Sequence, residues 1–133
     1  MNPKTYLTIA SVIAALFGLA FLLAPTAASS VYGVPADPHT GLILQFFGST
    51  LIAIGLVQWV AKDFRDWDAV RGILIVAVVG DGLGLIVNLV GTFQGLLNGM
   101  AWATTILYVL LIIGAVYCLT AGAESGVAAK PAR

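Results

Sequence analysis

The chain has 133 residues, of which 60% are hydrophobic and only 9% are charged, whereas about a quarter of the residues in a soluble domain are charged. This composition excludes an ordinary soluble domain and predicts a single membrane domain over residues 1–133. Six basic and six acidic residues leave no net charge. The composition therefore gives no indication of a basic, nucleic-acid-binding surface. The single cysteine, Cys118, excludes an internal disulfide.

Four apolar runs follow one another along the chain, and each approaches the ~20 residues that a helix needs to cross ~30 Å of hydrocarbon. They predict an all-α fold, a bundle of four transmembrane helices whose short connections make sequential helices antiparallel. The first run is longer than the apolar core of a secretory signal, so we expect it to be retained as a span. The predicted spans are residues 6–24, 41–61, 72–92 and 101–121.

The connections between the spans carry signals for helix ends and for orientation. Pro25, Gly33 and Pro35 predict an irregular connection after the first span, and Asp37 or Thr40 is the expected N-cap of the second. Lys and Arg occur only before the first span, between the second and third, and after the fourth; they are Lys4, Lys62, Arg65, Arg71, Lys130 and Arg133. The positive-inside rule therefore predicts that both termini and the middle connection lie in the cytoplasm.

The third span contains a carboxylate, within the sequence Gly80-Asp81-Gly82-Leu83-Gly84. An acidic residue in the middle of a helix costs roughly 2.5 to 3.5 kcal/mol to insert, whereas each large apolar residue contributes only about 0.3 to 0.6 kcal/mol in return. No Lys or Arg lies at this depth, so we expect Asp81 to be neutral or to face water. Such a residue either donates a hydrogen bond that holds helices together or exchanges protons during transport.

Polar residues of the other spans are expected at matching depths. Counting residues from the ends of the spans puts Asn88 level with Gln45 and with Thr104 or Thr105. Asp81 lies deeper, where Ser49, Tyr108 and Ser11 are the nearest polar candidates. The predicted intramembrane polar seam therefore comprises Asp81, Asn88, Gln45, Ser49, Thr104 and Tyr108.

Small residues four apart predict close helix packing at Gly80, Gly84, Gly91 and Gly95.

No catalytic constellation is predicted, because the only histidine, His39, lies in a connection. His39 and Asp37 are too few ligands for a metal site, and no cofactor is predicted.

Several short motifs together resemble a known type of membrane protein. They are Leu22-Leu23-Ala24-Pro25, Tyr32-Gly33-Val34-Pro35-Ala36-Asp37-Pro38, Gly55 and Trp59 before a charged turn, the Gly-Asp-Gly at 80–82, and Asn98-Gly99-Met100-Ala101-Trp102 with Tyr108. In these motifs the chain resembles small four-helix bacterial integral membrane proteins of uncharacterised families, and it is loosely similar to DoxX-like proteins. The resemblance implies a place in the inner membrane and a connection with quinone-linked sulfur oxidation or with accessory roles beside redox enzymes.

Three functions are consistent with these patterns. The leading hypothesis is a non-enzymatic accessory or assembly subunit of a larger membrane complex or homo-oligomer, with a lipid or quinone contact in the outer part of the polar seam. The first alternative is a small proton-coupled carrier in which Asp81 titrates while Gln45, Asn88 and Tyr108 line the path. The second alternative is a membrane subunit of a quinone-linked oxidoreductase.

Overall fold

The computed structural model describes residues 1–35 and 37–128, with side chains up to residue 122, so Lys130 and Arg133 lie outside the described residues. Within these ranges the chain is all-helical. The helices are α1 (Pro3–Leu23), α2 (Pro25–Val31), α3 (Pro38–Ala61), α4 (Trp67–Phe93) and α5 (Met100–Ala128). Four of them, α1, α3, α4 and the Met100–Gly122 part of α5, are long and apolar enough to cross a membrane. The all-α class and the four apolar spans are thereby confirmed.

The connection after the first span is more regular than the sequence predicts. Pro25 begins the short helix α2, because proline at the first helical position loses no intrahelical hydrogen bond and already has a helical φ. A turn then follows, in which Gly33 has a φ of 74°. The interpretation of this whole segment as irregular was therefore wrong for 25–31.

Side-chain caps define the starts of the long helices. Asn2 accepts a hydrogen bond from the Thr5 backbone N–H at the start of α1. Asp37, one of the two expected caps, accepts from the backbone N–H groups of His39 and Thr40 at the start of α3. The hydrogen bonds from Thr40, backbone and side chain, are the main reason that the pKa of Asp37 is lowered. Each cap satisfies amide donors that the helix itself leaves unpaired.

The two ends of the molecule are built from different segments of the chain. At one end, here named the α2 end, the 94–99 connection packs on α2, since the Asn98 backbone N–H donates to the Tyr32 carbonyl and Asn98 Nδ2 donates to the Val31 carbonyl. At the other, here named the Asp63 end, an ion pair joins Lys4 in the first turn of α1 to Asp63 in the 62–66 connection. The buried core cluster draws on α1, α4, α5 and the last residue of α3; it contains Tyr6, Leu7, Ala10, Ala61, Val70, Leu74, Ala115 and Cys118.

Helix α1 packs most extensively against α3, and glycines make this contact close. A Cβ atom added at Gly18 would lie 2.7 Å from Ile52 Cγ1 and 2.8 Å from the Gly48 carbonyl oxygen. A Cβ atom at Gly55 would lie 3.0 Å from the Ser11 carbonyl oxygen. The two backbones therefore touch, which is how helices associate where lipid removes the hydrophobic driving force.

Helix α4 packs against α5, whereas α3 and α4 have little contact with each other. Helix α1 bridges the two pairs by also touching α5, where the Tyr6 ring covers Gly114. Large apolar side chains point outward, among them Phe46, Val87 and Phe93, with 67%, 72% and 76% of their surface exposed. An apolar surface of this extent would not suit a soluble monomer, and with four apolar spans it is that of a multi-pass membrane protein.

Candidate functional site

A groove opens at the α2 end between α1, α2 and α5, with a volume of about 300 Å³. Its walls are almost entirely apolar, because α1 contributes aromatic and small side chains while α5 contributes aliphatic ones. Phe21 is held in place by an edge contact to Phe47 of α3, with ring centroids 5.3 Å apart. The lining includes Phe17, Ala20, Phe21, Tyr32, Ala103, Thr104 and Leu107.

The polar side chains in the lining of this groove are the Tyr32 and Thr104 hydroxyls, whose oxygens lie 2.8 Å apart. Thr104 belongs to the predicted polar seam, whereas Tyr32 does not, because it lies outside the four predicted spans. The turn after α2 brings Tyr32 back over the first turns of α5. Two hydroxyls share one hydrogen bond here, so one O–H and several lone pairs stay available to a ligand.

Asn88 forms a second polar contact, between α4 and α5. Its Nδ2 donates to the Ala101 carbonyl at 3.0 Å and to Thr105 Oγ1 at 2.8 Å. The residue is buried, with 8% of its surface exposed. The neighbouring residues Thr104 and Thr105 therefore have different hydrogen-bond partners. Thr104 pairs with Tyr32 in the groove, and Thr105 pairs with Asn88 in the α4–α5 interface.

Two members of the predicted seam lie elsewhere. Gln45 Nε2 donates to the Leu22 carbonyl at 3.2 Å, so Gln45 connects α3 to the end of α1. Ser49 is exposed, and its hydroxyl donates to the Phe46 carbonyl of its own helix. The reason is the Gly48 contact with α1, because a helix that turns Gly48 inward turns the next residue outward.

Asp81 lies partly buried on α4, and no described residue forms a hydrogen bond or ion pair with its carboxyl group. The phenols of Tyr6 and Tyr108 are within electrostatic range of it. Tyr108 packs its ring on Gly84, one turn from Asp81, where an added Cβ would lie 2.7 Å from Tyr108 Cζ. The Tyr6 hydroxyl is buried with no hydrogen-bond partner in the described part of the chain. Asp81 thus interacts electrostatically with one phenol from each of two neighbouring helices.

The sequence did not predict that Tyr6 would belong to the surroundings of Asp81. It begins the first predicted span and shares no face or spacing with Asp81. Its place beside α4 and α5 depends on how α1 crosses the other helices, which no local pattern reports. Asp81, Tyr108 and Tyr6 are here called the Asp81 cluster.

Comparison of the chain with protein-family models, curated proteins and solved structures found no match. Among the described residues, no group of three His, Cys, Asp or Glu side chains is placed to hold a metal ion.

The glycines at the predicted packing positions have different surroundings. Gly84 lies under Tyr108, and an added Cβ at Gly91 would lie 3.2 Å from Leu97 Cδ1. Gly80 and Gly95 have open space where a Cβ would be. Gly95 has a φ of 71° in the turn after α4, so its role there is conformational.

Proposed function

We propose that this chain is a non-enzymatic accessory or assembly subunit in the membrane, and that its groove at the α2 end holds the apolar chain of a lipid or a quinone. The main observation in favour of this proposal is the groove. Its volume of about 300 Å³ reaches the lower end of the ~300 to 1,000 Å³ range of ligand pockets. The chain would belong to the small four-helix type that its motifs resemble.

The chemistry of the lining favours an elongated ligand with one polar group. Aromatic and aliphatic walls suit methylene or isoprenoid units, which gain dispersion contacts along Phe17, Phe21 and Leu107. The Tyr32–Thr104 pair offers one free O–H to a carbonyl oxygen. Ester carbonyls of lipids and the carbonyls of quinones both satisfy that requirement.

The proposal includes an antiparallel bundle with both termini in the cytoplasm of a bacterial inner membrane. Contacts that run in opposite order along paired helices support this arrangement: Gly18 meets Gly48, and Gly55 meets Ser11. The basic residues at the Asp63 end support a cytoplasmic position for it. The groove then lies in the outer half of the bilayer, where a lipid or quinone reaches it laterally.

Photolabelling tests the groove with two probes, a diazirine-bearing ubiquinone analogue and a phospholipid with a diazirine in its acyl chain. The groove variant is Ala103→Phe, and the matched control is Ala53→Phe, an exposed alanine of α3 outside the groove. We expect Ala103→Phe to lower labelling of α5 by about tenfold, which corresponds to about 1.4 kcal/mol. Equal labelling of both variants and the wild type would contradict the proposal. The probe that labels more strongly identifies the occupant.

Co-purification tests the accessory role separately. Extraction from native membranes in mild detergent should recover the chain in a larger assembly, which cross-linking and mass spectrometry can define. Recovery only as a free monomer would contradict the accessory role and leave the groove proposal standing. A redox enzyme among the co-purified proteins would favour the quinone-linked oxidoreductase alternative.

The Asp81 cluster favours a second candidate function, that of a small proton-coupled carrier. Asp81 has a partly buried carboxyl group with no described hydrogen-bond partner, and the phenols of Tyr6 and Tyr108 lie within electrostatic range of it. These groups have the composition of a proton-exchange site. Proton entry into liposomes that contain the protein and a pH-sensitive dye tests this function. Asp81→Asn should abolish the proton flux, while Asp68→Asn, an exposed acid at the start of α4, should preserve it. Unchanged flux in Asp81→Asn would exclude the carrier.

A further inference from the structure

A second cavity, of about 500 Å³, opens at the Asp63 end. We propose that it binds a phosphate group, either as the headgroup of an anionic phospholipid or as free phosphate. The site is at the opposite end of the molecule from the groove, so the proposal is independent of the proposed function. Its rim is formed by Lys4, Lys62, Asp63 and Arg65, and its floor by Leu7 and Val70.

The charges around this cavity leave an excess of positive charge. Asp63 pairs with two ammonium groups at once, Lys4 Nζ at 2.7 Å and Lys62 Nζ at 2.6 Å. Hydrogen bonds from Lys4 and Lys62 hold the pKa of Asp63 at about 2, so this carboxylate stays ionised at neutral pH. Three cations and one carboxylate therefore face the cavity, with two positive charges left over.

Donors on these cations remain available to a ligand. Each ammonium group has three donors, of which Asp63 uses one. Arg65 forms no hydrogen bond or ion pair with any residue in the described part of the chain. Its planar fork can donate two parallel hydrogen bonds to a phosphate.

The site is also partly ordered before a ligand arrives. The Lys62 side chain is only 14% exposed, and its Nζ lies 4.3 Å from the centroid of the Trp59 ring. Both Lys62 and Lys4 are held by the same carboxylate, which ties the first turn of α1 to the 62–66 connection. A ligand therefore meets ammonium groups whose rotamer freedom is already reduced.

The floor of the cavity limits what can enter. Leu7 and Val70 belong to the buried core, with 1% and 6% of their surface exposed. An acyl chain cannot extend into that packed core, whereas a compact anionic group fits against the charged rim. A zwitterionic headgroup would bring its own cation next to the excess positive charge, so anionic phosphate is favoured.

Native mass spectrometry of the full chain, released from nanodiscs of mixed phosphatidylglycerol and phosphatidylcholine, tests the proposal. The site variant is Arg65→Gln, and the matched control is Arg71→Gln. Both arginines are exposed and without an ion pair among the described residues, but only Arg65 lines the cavity. We expect the wild type to retain phosphatidylglycerol in preference to phosphatidylcholine. Arg65→Gln should retain about fivefold less phosphatidylglycerol than the wild type. Arg71→Gln should stay close to the wild type.

A second titration, with inorganic phosphate in detergent, separates the two sources of the ligand. Retention of phosphatidylglycerol that depends on Arg65 supports the site with a lipid headgroup as its ligand. Phosphate adducts that depend on Arg65, without preference for phosphatidylglycerol, support the site with free phosphate as its ligand. Equal losses in Arg65→Gln and Arg71→Gln, or no preference for either ligand in the wild type, would overturn the proposal.

Discussion

The close contact between α1 and α3 predicts that alanine at Gly48 destabilises the fold. A Cβ atom at this position would lie 2.7 Å from the Gly18 carbonyl oxygen and 2.7 Å from the Leu22 backbone nitrogen. Both neighbours are backbone atoms, which cannot move aside as a flexible side chain can. The helices must separate instead, and a gap of about 0.5 to 1 Å loses a quarter to a half of each contact's dispersion energy.

The magnitude follows from two opposing terms. Overpacking of this kind costs about 1 to 3 kcal/mol, and alanine gains about 1 kcal/mol over glycine in helix propensity. Gly80→Ala provides the matched control, because open space surrounds the added Cβ and only the propensity term acts. The propensity term cancels between the two variants, so the free energy of unfolding should differ by about 1 to 3 kcal/mol.

Unfolding in detergent, followed by circular dichroism as SDS is added to mixed micelles, measures this difference. We expect Gly48→Ala to unfold at a lower SDS fraction than Gly80→Ala, which should unfold at the wild-type fraction or a higher one. A fluorescence-transfer pair on α1 and α3 should report the separation of these helices in Gly48→Ala. Gly80→Ala that is no more stable than Gly48→Ala would refute this prediction.

Three further predictions concern polar groups. Asn88→Leu removes both hydrogen bonds to α5 and should lower the free energy of unfolding by about 0.6 to 1.7 kcal/mol; an unchanged SDS midpoint would contradict this. The folded pKa of Asp63 is about 2, below its unfolded value, so the stability that its ion pairs contribute is present above about pH 4 and is lost toward pH 2. The thermal midpoint should therefore fall over this window more in the wild type than in Asp63→Asn, and parallel curves would argue against it. Tyr32→Phe leaves Thr104 as the one polar side chain lining the groove and should reduce labelling by a carbonyl-bearing probe more than labelling by an alkyl probe, whereas equal reductions would indicate a steric effect alone.

Local features of the sequence determine much of this fold. Runs of about twenty apolar residues become helices because hydrocarbon leaves the backbone no other way to satisfy its hydrogen bonds. Asp37 caps α3 because its side chain reaches the free amides of its own next turn. Counting along the spans placed Asn88 level with Gln45 and with Thr104 or Thr105, and of these three Asn88 Nδ2 donates to the Thr105 hydroxyl. Depth in the bundle follows from the rise of 1.5 Å per residue, which every helix shares.

Rotation of each helix about its own axis was decided only by the tertiary structure. In a soluble protein, the apolar stripe of a helix predicts which face packs on the core. In a membrane, the face toward lipid and the face toward the other helices are both apolar, so the stripe does not predict the rotation of the helix. Ser49 therefore faces outward although it was predicted in the seam, because Gly48 takes the contact with α1. For the same reason the Tyr6 ring packs on Gly114, and its phenol lies within electrostatic range of Asp81. Backbone contacts at glycines, formed between helices distant in sequence, set these rotations and with them the residues that line each cavity.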